Sequence, residues 1–87
     1  MTVTEKKMYY NELADQFKWL KRNYQQLKNN QSNVAEDKNR QGMIQYNRRC
    51  YPRAKALFEI ADILGYKGAY YNCIATNYKL SRFHVYS

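Results

Sequence analysis

The chain has 87 residues, enough for one small domain, and its 45% hydrophobic and 16% aromatic content excludes compositional disorder. Fifteen Lys and Arg side chains stand against seven Asp and Glu side chains, a formal net charge of +8 that favours an anionic partner and excludes acidic mimicry of DNA. The sequence has no phosphate-binding loop, paired-carboxylate motif or metal-ligand spacing, so we expect neither an enzyme nor a cofactor.

The first predicted element is a long helix over residues 4–30, with no Gly or Pro inside it. Thr2 followed by Glu5, or Thr4 alone, suits an N-terminal cap. Apolar side chains recur along the helix at spacings of four and three: Leu13, Phe17, Leu20, Tyr24 and Leu27. This spacing is typical of a helix that packs against another helix, either inside a small bundle or across a homodimer.

A second helix is predicted over residues 34–50, after the polar run NNQSN at residues 29–33. Asn and Ser favour turns over helix interiors, and Asn33 with Glu36 fits a capping box. Gly42 lowers helix propensity by about 1 kcal/mol, and few apolar side chains offer burial. We therefore expect a short, bent or frayed second helix that forms a helical hairpin with the first over residues 1–50.

The third predicted helix, residues 52–64, is the expected core of the domain. Pro52 suits the first turn of a helix, and Gly65 is placed to end this helix in a left-handed conformation. Apolar side chains cover most of its circumference: Ala54, Leu57, Phe58, Ile60, Ala61, Ile63 and Leu64. A helix that is apolar on most sides is typical of the centre of a bundle.

Basic residues are concentrated where acidic residues are missing. No Asp or Glu occurs between Lys38 and Phe58, a stretch that holds six bases: Lys38, Arg40, Arg48, Arg49, Arg53 and Lys55. Guanidinium groups match phosphate oxygens in geometry, so Arg48, Arg49, Arg53 and Lys55 are predicted to contact phosphates of a nucleic acid. The alternative is a solvated positive face with no ligand.

Residues 57–76 carry a spaced set of apolar and small residues: Ile60, Ala61, Gly65, Tyr66, Tyr71 and Ile74. An apolar residue followed by Ala, with Gly four residues later and apolar residues at set distances beyond it, resembles the helix-turn-helix superfamily of DNA-binding proteins. In that motif Ala permits close helix approach, Gly makes the turn, and the later apolar residues pack the second helix on the first. The fold expected from this resemblance is a helical bundle ending in a helix-turn-helix-like segment, residues 52–87.

The resemblance also implies which side chains meet DNA. The positions implied to face the bases are Lys67, Gly68, Ala69, Asn72, Cys73 and Thr76, with Tyr70 at the rim. Asn72 suits adenine, and Lys67 suits guanine or a phosphate.

A second frame overlaps the first in the segment IATNYKLSRFHVYS. Its Ile-Ala and Leu-Ser-Arg-x-x-Val-Tyr residues resemble a segment of small transposase, resolvase and repressor domains. The resemblance implies a turn at Leu80 and Ser81, a last helix capped by Ser81, and an outward-facing Arg82. Lys79, a further predicted nucleic-acid contact, stands where the family has a turn Gly. Together the frames predict three successive helices near residues 53–64, 68–78 and 81–87.

A β-hairpin is the rival interpretation of the same segment. GAYYNCIATN and RFHVYS are rich in β-branched and aromatic residues, and YKLS suits a turn between two strands. The fold would then be α+β, with a hairpin packed on the third helix and no need for DNA.

Two functional hypotheses follow for the single domain, residues 1–87. The first is a small basic protein that binds DNA or RNA, serving as a regulator or accessory factor of a phage or other mobile element. The second is an inhibitor that docks on a host nucleic-acid enzyme through its Tyr-rich surface. Without an apolar leader or a membrane span in the sequence, we expect a cytoplasmic protein with no membrane contact and with Cys50 and Cys73 reduced.

Overall fold

The computed structural model describes residues 1–85, with side chains described as far as Ser81. Four elements follow one another, and all are helices: α1 (Val3–Arg22), α2 (Tyr24–Asn47), α3 (Tyr51–Ile63) and α4 (Lys67–Val85). The mainly helical prediction is therefore confirmed. The hairpin alternative is wrong, because α4 is helical through the first proposed strand, through the proposed turn YKLS, and through the second proposed strand as far as Val85. The separate helices predicted near residues 68–78 and 81–87 are also wrong, because α4 continues through Leu80 and Ser81 without a turn.

Helix α1 begins with the predicted capping box. The Glu5 amide donates to Thr2 Oγ1 at 3.1 Å, and the Thr2 amide donates to Glu5 Oε1 at 2.8 Å, so two otherwise unpaired amides are satisfied. The helix ends at Arg22 rather than at residue 30, because the Asn23 side chain donates to the Trp19 carbonyl at 2.8 Å and caps the last turn.

Helix α2 is longer than predicted and runs through the polar run at residues 29–33. The break expected there survives as a kink at Asn30, where φ is −139° and ψ is 36°. Asn33 lies inside the helix and donates to Asn30 Oδ1 at 3.2 Å instead of capping a new helix with Glu36. Gly42 is not a weak point, because its missing Cβ makes room for Phe58: an added Cβ would lie 2.6 Å from that ring.

Helix α3 is the central helix, as predicted, and the other three helices pack on it more extensively than on one another. Pro52 lies in its first turn, and its buried apolar side chains are Ala54, Ala56, Leu57, Phe58, Ile60 and Ala61. The Leu64 end of α3 joins a core cluster with Val34, Ala35 and Ile60, against which Trp19, Leu20, Leu27 and Tyr66 pack.

Gly65 makes the turn from α3 to α4 at a φ of 108°, as predicted. Helix α4 then runs back along α3, with Cys73 within electrostatic range of Lys55, Glu59 and Asp62. Among the described residues, no helix has both the length and the apolar character that crossing a membrane requires.

Candidate nucleic-acid interface

The predicted arginines meet at the corner between α2 and α3, which we call the arginine corner: Arg48, Arg49 and Arg53. All three side chains are exposed. Arg48 and Arg49 form the turn between the helices, and Arg53 lies in the first turn of α3. The structure therefore brings three of the four predicted phosphate contacts of this segment to one place.

Backbone hydrogen bonds fix this corner as a Schellman motif. The Cys50 amide donates to the Gln45 carbonyl at 2.9 Å, and the Arg49 amide donates to the Tyr46 carbonyl at 3.0 Å. The motif requires a left-handed residue after the helix, and that residue is Arg49, with a φ of 62°. Glycine is the usual occupant, because a Cβ is strained in this conformation.

The start of α3 adds positive potential to the corner. Cys50, at the N-cap position, makes no side-chain cap within the described part of the chain, and the first turn has no acidic residue. Backbone amides at a helix start carry partial positive charge and attract anions. Arg53 also lines a pocket of about 220 Å³, together with Met8, Asn11, Glu12, Asp15 and Gln45.

Lys55, the fourth predicted phosphate contact, interacts with side chains of the protein itself. Only 19% of its side chain is exposed, and its Nζ lies 3.2 Å from Glu59 Oε1 and 4.9 Å from the centre of the Tyr9 ring. The Tyr9 hydroxyl donates to Glu59 Oε2 at 2.7 Å, and burial together with this carboxylate raises the Tyr9 pKa. The charge of Lys55 is therefore already compensated by a neighbour.

Two further bases of the acid-free stretch are also engaged. Lys38 is 3% exposed, with its amine 3.9 Å from the centre of the Trp19 ring, and burial lowers its pKa. Arg40 pairs with Asp37 at 3.2 Å and with Glu36 at 3.9 Å. Arg40 is exposed but paired, whereas no ion pair involves the three bases of the arginine corner in the described part of the chain.

Helix α4 is rotated by about half a turn from the orientation that the helix-turn-helix resemblance implies. Ala69 and Thr76, expected to face the bases, are completely buried, and the Thr76 hydroxyl donates to the Asn72 carbonyl at 2.7 Å. Asn72 is half-buried and donates to Asn39 Oδ1 at 2.8 Å, which ties α4 to α2. The outward placement of Asn72 and Thr76 is therefore wrong, since the small residues pack against the core.

Other sequence-predicted residues of α4 are placed differently. Lys67 and Tyr70 are exposed, as expected, and Lys79 is half-buried. The side chain of Arg82 lies outside the described residues. Lys67 is the first residue of α4 and follows the end of α3, whereas the arginine corner lies at the start of α3. The two positions are therefore separated by the length of a 13-residue helix, about 20 Å.

Large side chains cover the solvent side of α4. We call them the aromatic row: Tyr70, Tyr71, Ile74 and Tyr78, which are 55%, 70%, 50% and 64% exposed. The rings of Tyr70 and Tyr71 meet edge to face, 5.5 Å between centres. Tyr71 and Ile74 were expected to pack α4 on α3, and this expectation is wrong because Ala69, Thr76 and Leu80 occupy the buried side.

A second basic cluster was missed in the sequence. Residues 16–35 contain no acid and four bases, which are Lys18, Lys21, Arg22 and Lys28. Lys18, Lys21 and Arg22 line an open surface depression of about 510 Å³ at the end of α1. The signal that could have identified this cluster is the absence of acidic residues, which was the signal used for the basic stretch from Lys38 to Phe58.

Both cysteines are half-buried in the described part of the chain. Cys50 and Cys73 are free thiols, and burial, followed by Glu59 and Asp62, raises the pKa of Cys73 to about 11, which keeps it protonated. No group of three or more His, Cys, Asp or Glu among these residues is placed to hold a metal ion. Comparison of the chain with family models, with curated proteins and with solved structures finds no match to any of them.

Proposed function

We propose that the protein is a small DNA- or RNA-binding protein that neutralises backbone phosphates with Arg48, Arg49 and Arg53. The observation that carries the proposal is Arg49, an exposed cation held in a left-handed conformation that glycine adopts without strain. Residues other than glycine in this conformation are found preferentially at functional sites, where the surrounding structure maintains the strain.

The surroundings of Arg49 support a phosphate ligand in particular. Two further exposed guanidinium groups flank it, and the first turn of α3 beside them has no acidic residue. One guanidinium group can donate two parallel hydrogen bonds to the oxygens of a phosphate. Contacts between basic side chains and phosphates supply most of the affinity of non-specific nucleic-acid binding.

Affinity for random-sequence duplex and single-stranded oligonucleotides, measured across a salt series, tests this proposal. Neutralising phosphates releases counterions, so the logarithm of the binding constant should fall linearly with the logarithm of salt concentration. Three contacts predict a slope near −2 to −3, at roughly 0.7–0.9 per phosphate. No binding to either oligonucleotide at low salt would contradict the proposal.

A second candidate function is docking on another protein, for example as an inhibitor of a nucleic-acid enzyme. The aromatic row favours it, because exposed Tyr side chains at helical spacing are frequent anchors in protein interfaces. Co-purification with a single stoichiometric partner, lost on replacing Tyr71 and Tyr78 by Ala, would support this candidate.

A further inference from the structure

The aromatic row lies directly opposite the packed side of α4. Ala69, Thr76 and Leu80 face the core, while the three Tyr rings and Ile74 project from the other side of the helix. Packing on the rest of the chain therefore does not explain these large side chains. Tyr71 and Tyr78 are two helical turns apart, about 10 Å along the axis, so their rings offer separate flat surfaces.

The charge of the residues around the aromatic row indicates which kind of ligand it would bind. Residues 63–87 contain no Asp or Glu, and Lys67 stands exposed at the start of the row. The chain as a whole carries a net charge of +8, which opposes close approach of a second copy and attracts a polyanion. Three of the four side chains are phenol rings, whose faces stack on planar heterocycles.

We propose that the aromatic row stacks the unpaired bases of a single-stranded nucleic acid. This inference rests on the proposed function and narrows it, because bases in a duplex are already stacked and paired and offer no free face to a tyrosine ring. Lys67 neutralises phosphate beside the row, and the arginine corner does so at the other end of α3. The ligand class is a flexible single strand, recognised by its backbone charge and its exposed bases with little regard to sequence.

The test compares three probes with the same number of phosphates: a single-stranded oligonucleotide, the same backbone with abasic sites, and a duplex of half the length. Binding to the parent protein is expected to be tightest for the single strand. Replacing Tyr71 and Tyr78 by Ala should weaken single-strand binding at least fivefold per ring and leave the abasic probe unaffected. Tyr71→Phe with Tyr78→Phe should retain affinity within about twofold, because the stacking face remains.

A matched control is the double replacement Tyr10→Ala and Tyr24→Ala. These two rings are 64% and 58% exposed, comparable with the row, but lie on α1 and at the start of α2. Thermal midpoints of all variants should stay close to the parent, since every replaced ring is largely exposed. The control should leave single-strand affinity unchanged.

The outcomes separate this inference from the proposed function. Equal loss in the control, or unchanged single-strand affinity in the Tyr71 and Tyr78 variant, overturns the stacking role while phosphate binding stands. A parent that binds no probe overturns both proposals. Self-association of the parent that is lost in the same variant, or a stoichiometric protein partner, would assign the row to a protein interface and overturn the inference.

Discussion

The two corners that flank α3 have the same backbone hydrogen bonds and different side chains. At the α3–α4 corner, Gly65 donates to the Asp62 carbonyl at 3.0 Å and Tyr66 donates to the Ala61 carbonyl at 2.9 Å. These are the Schellman hydrogen bonds also found at the arginine corner, where Arg49 takes the position of Gly65. One corner has the residue that its backbone favours, and the other has a strained cation.

The two corners differ in how strictly their backbone selects glycine. An added Cβ at Gly65 would meet no described atom within 4 Å, so the glycine is required by its φ of 108° and not by crowding. At Arg49 the φ of 62° lies in the left-handed region, which a residue with a Cβ adopts at a cost of about 1–2 kcal/mol. The backbone therefore does not select arginine at this position, and the proposed phosphate contact uses its exposed charge.

The largest effect is expected at the glycine corner. Gly65→Val places a β-branched residue at positive φ and should cost about 1–3 kcal/mol. In a chain of this size the thermal midpoint should fall by about 5 °C or more. A midpoint within one degree of the parent would mean that this corner tolerates a Cβ, and the contrast between the corners would disappear.

An intermediate effect is expected on the buried side of α4. Asn72→Ala removes the hydrogen bond to Asn39 and should destabilise the fold by about 1 kcal/mol, because Asn39 Oδ1 loses its donor. Nucleic-acid affinity should not change, since binding is assigned to the arginine corner and to the outer side of α4. Loss of affinity without loss of stability would return Asn72 to the base-reading role that the sequence predicted.

The smallest effect is expected at Arg49. Arg49→Gly should be more stable than Arg49→Ala by about 0.5–1 kcal/mol, because glycine relieves the left-handed strain that alanine keeps. Both variants lack the guanidinium group, so they should lose nucleic-acid affinity to the same degree. Denaturant unfolding measures the first difference, and equal stabilities would show that Arg49 is not strained.

The helix boundaries predicted correctly are those that depend on residues close together in the sequence. Thr2 with Glu5, Pro52 and Gly65 each act within one helical turn, and each is found where the sequence placed it. The end of α1 was missed because both Asn23 and the run at residues 29–33 are plausible breaks. The choice depends on the Asn23 side chain reaching the Trp19 carbonyl.

The orientation of α4 could not be predicted from hydrophobicity. Ala69 and Thr76 lie on the buried side of α4, because small side chains allow two helices to pack closely. The larger Tyr71 and Ile74 are exposed on the opposite side. Counting bases also overestimated the candidate site, because Lys55 is compensated by Glu59 and lies over Tyr9, which is far away in the chain. Arg48 and Arg49 are exposed, as a phosphate contact requires, but the left-handed backbone of Arg49 was not predicted.

Salt dependence of nucleic-acid affinity in the double variant Arg48→Ala with Arg49→Ala tests the arginine corner most directly. Removing two phosphate contacts should weaken binding to all sequences alike and flatten the salt slope by about one to two units. The matched control, Lys18→Ala with Lys21→Ala, removes the same charge from the second basic cluster and should change the slope less. An unchanged slope in the arginine variant, or an equal change in the lysine variant, would contradict the assignment of phosphate binding to the arginine corner.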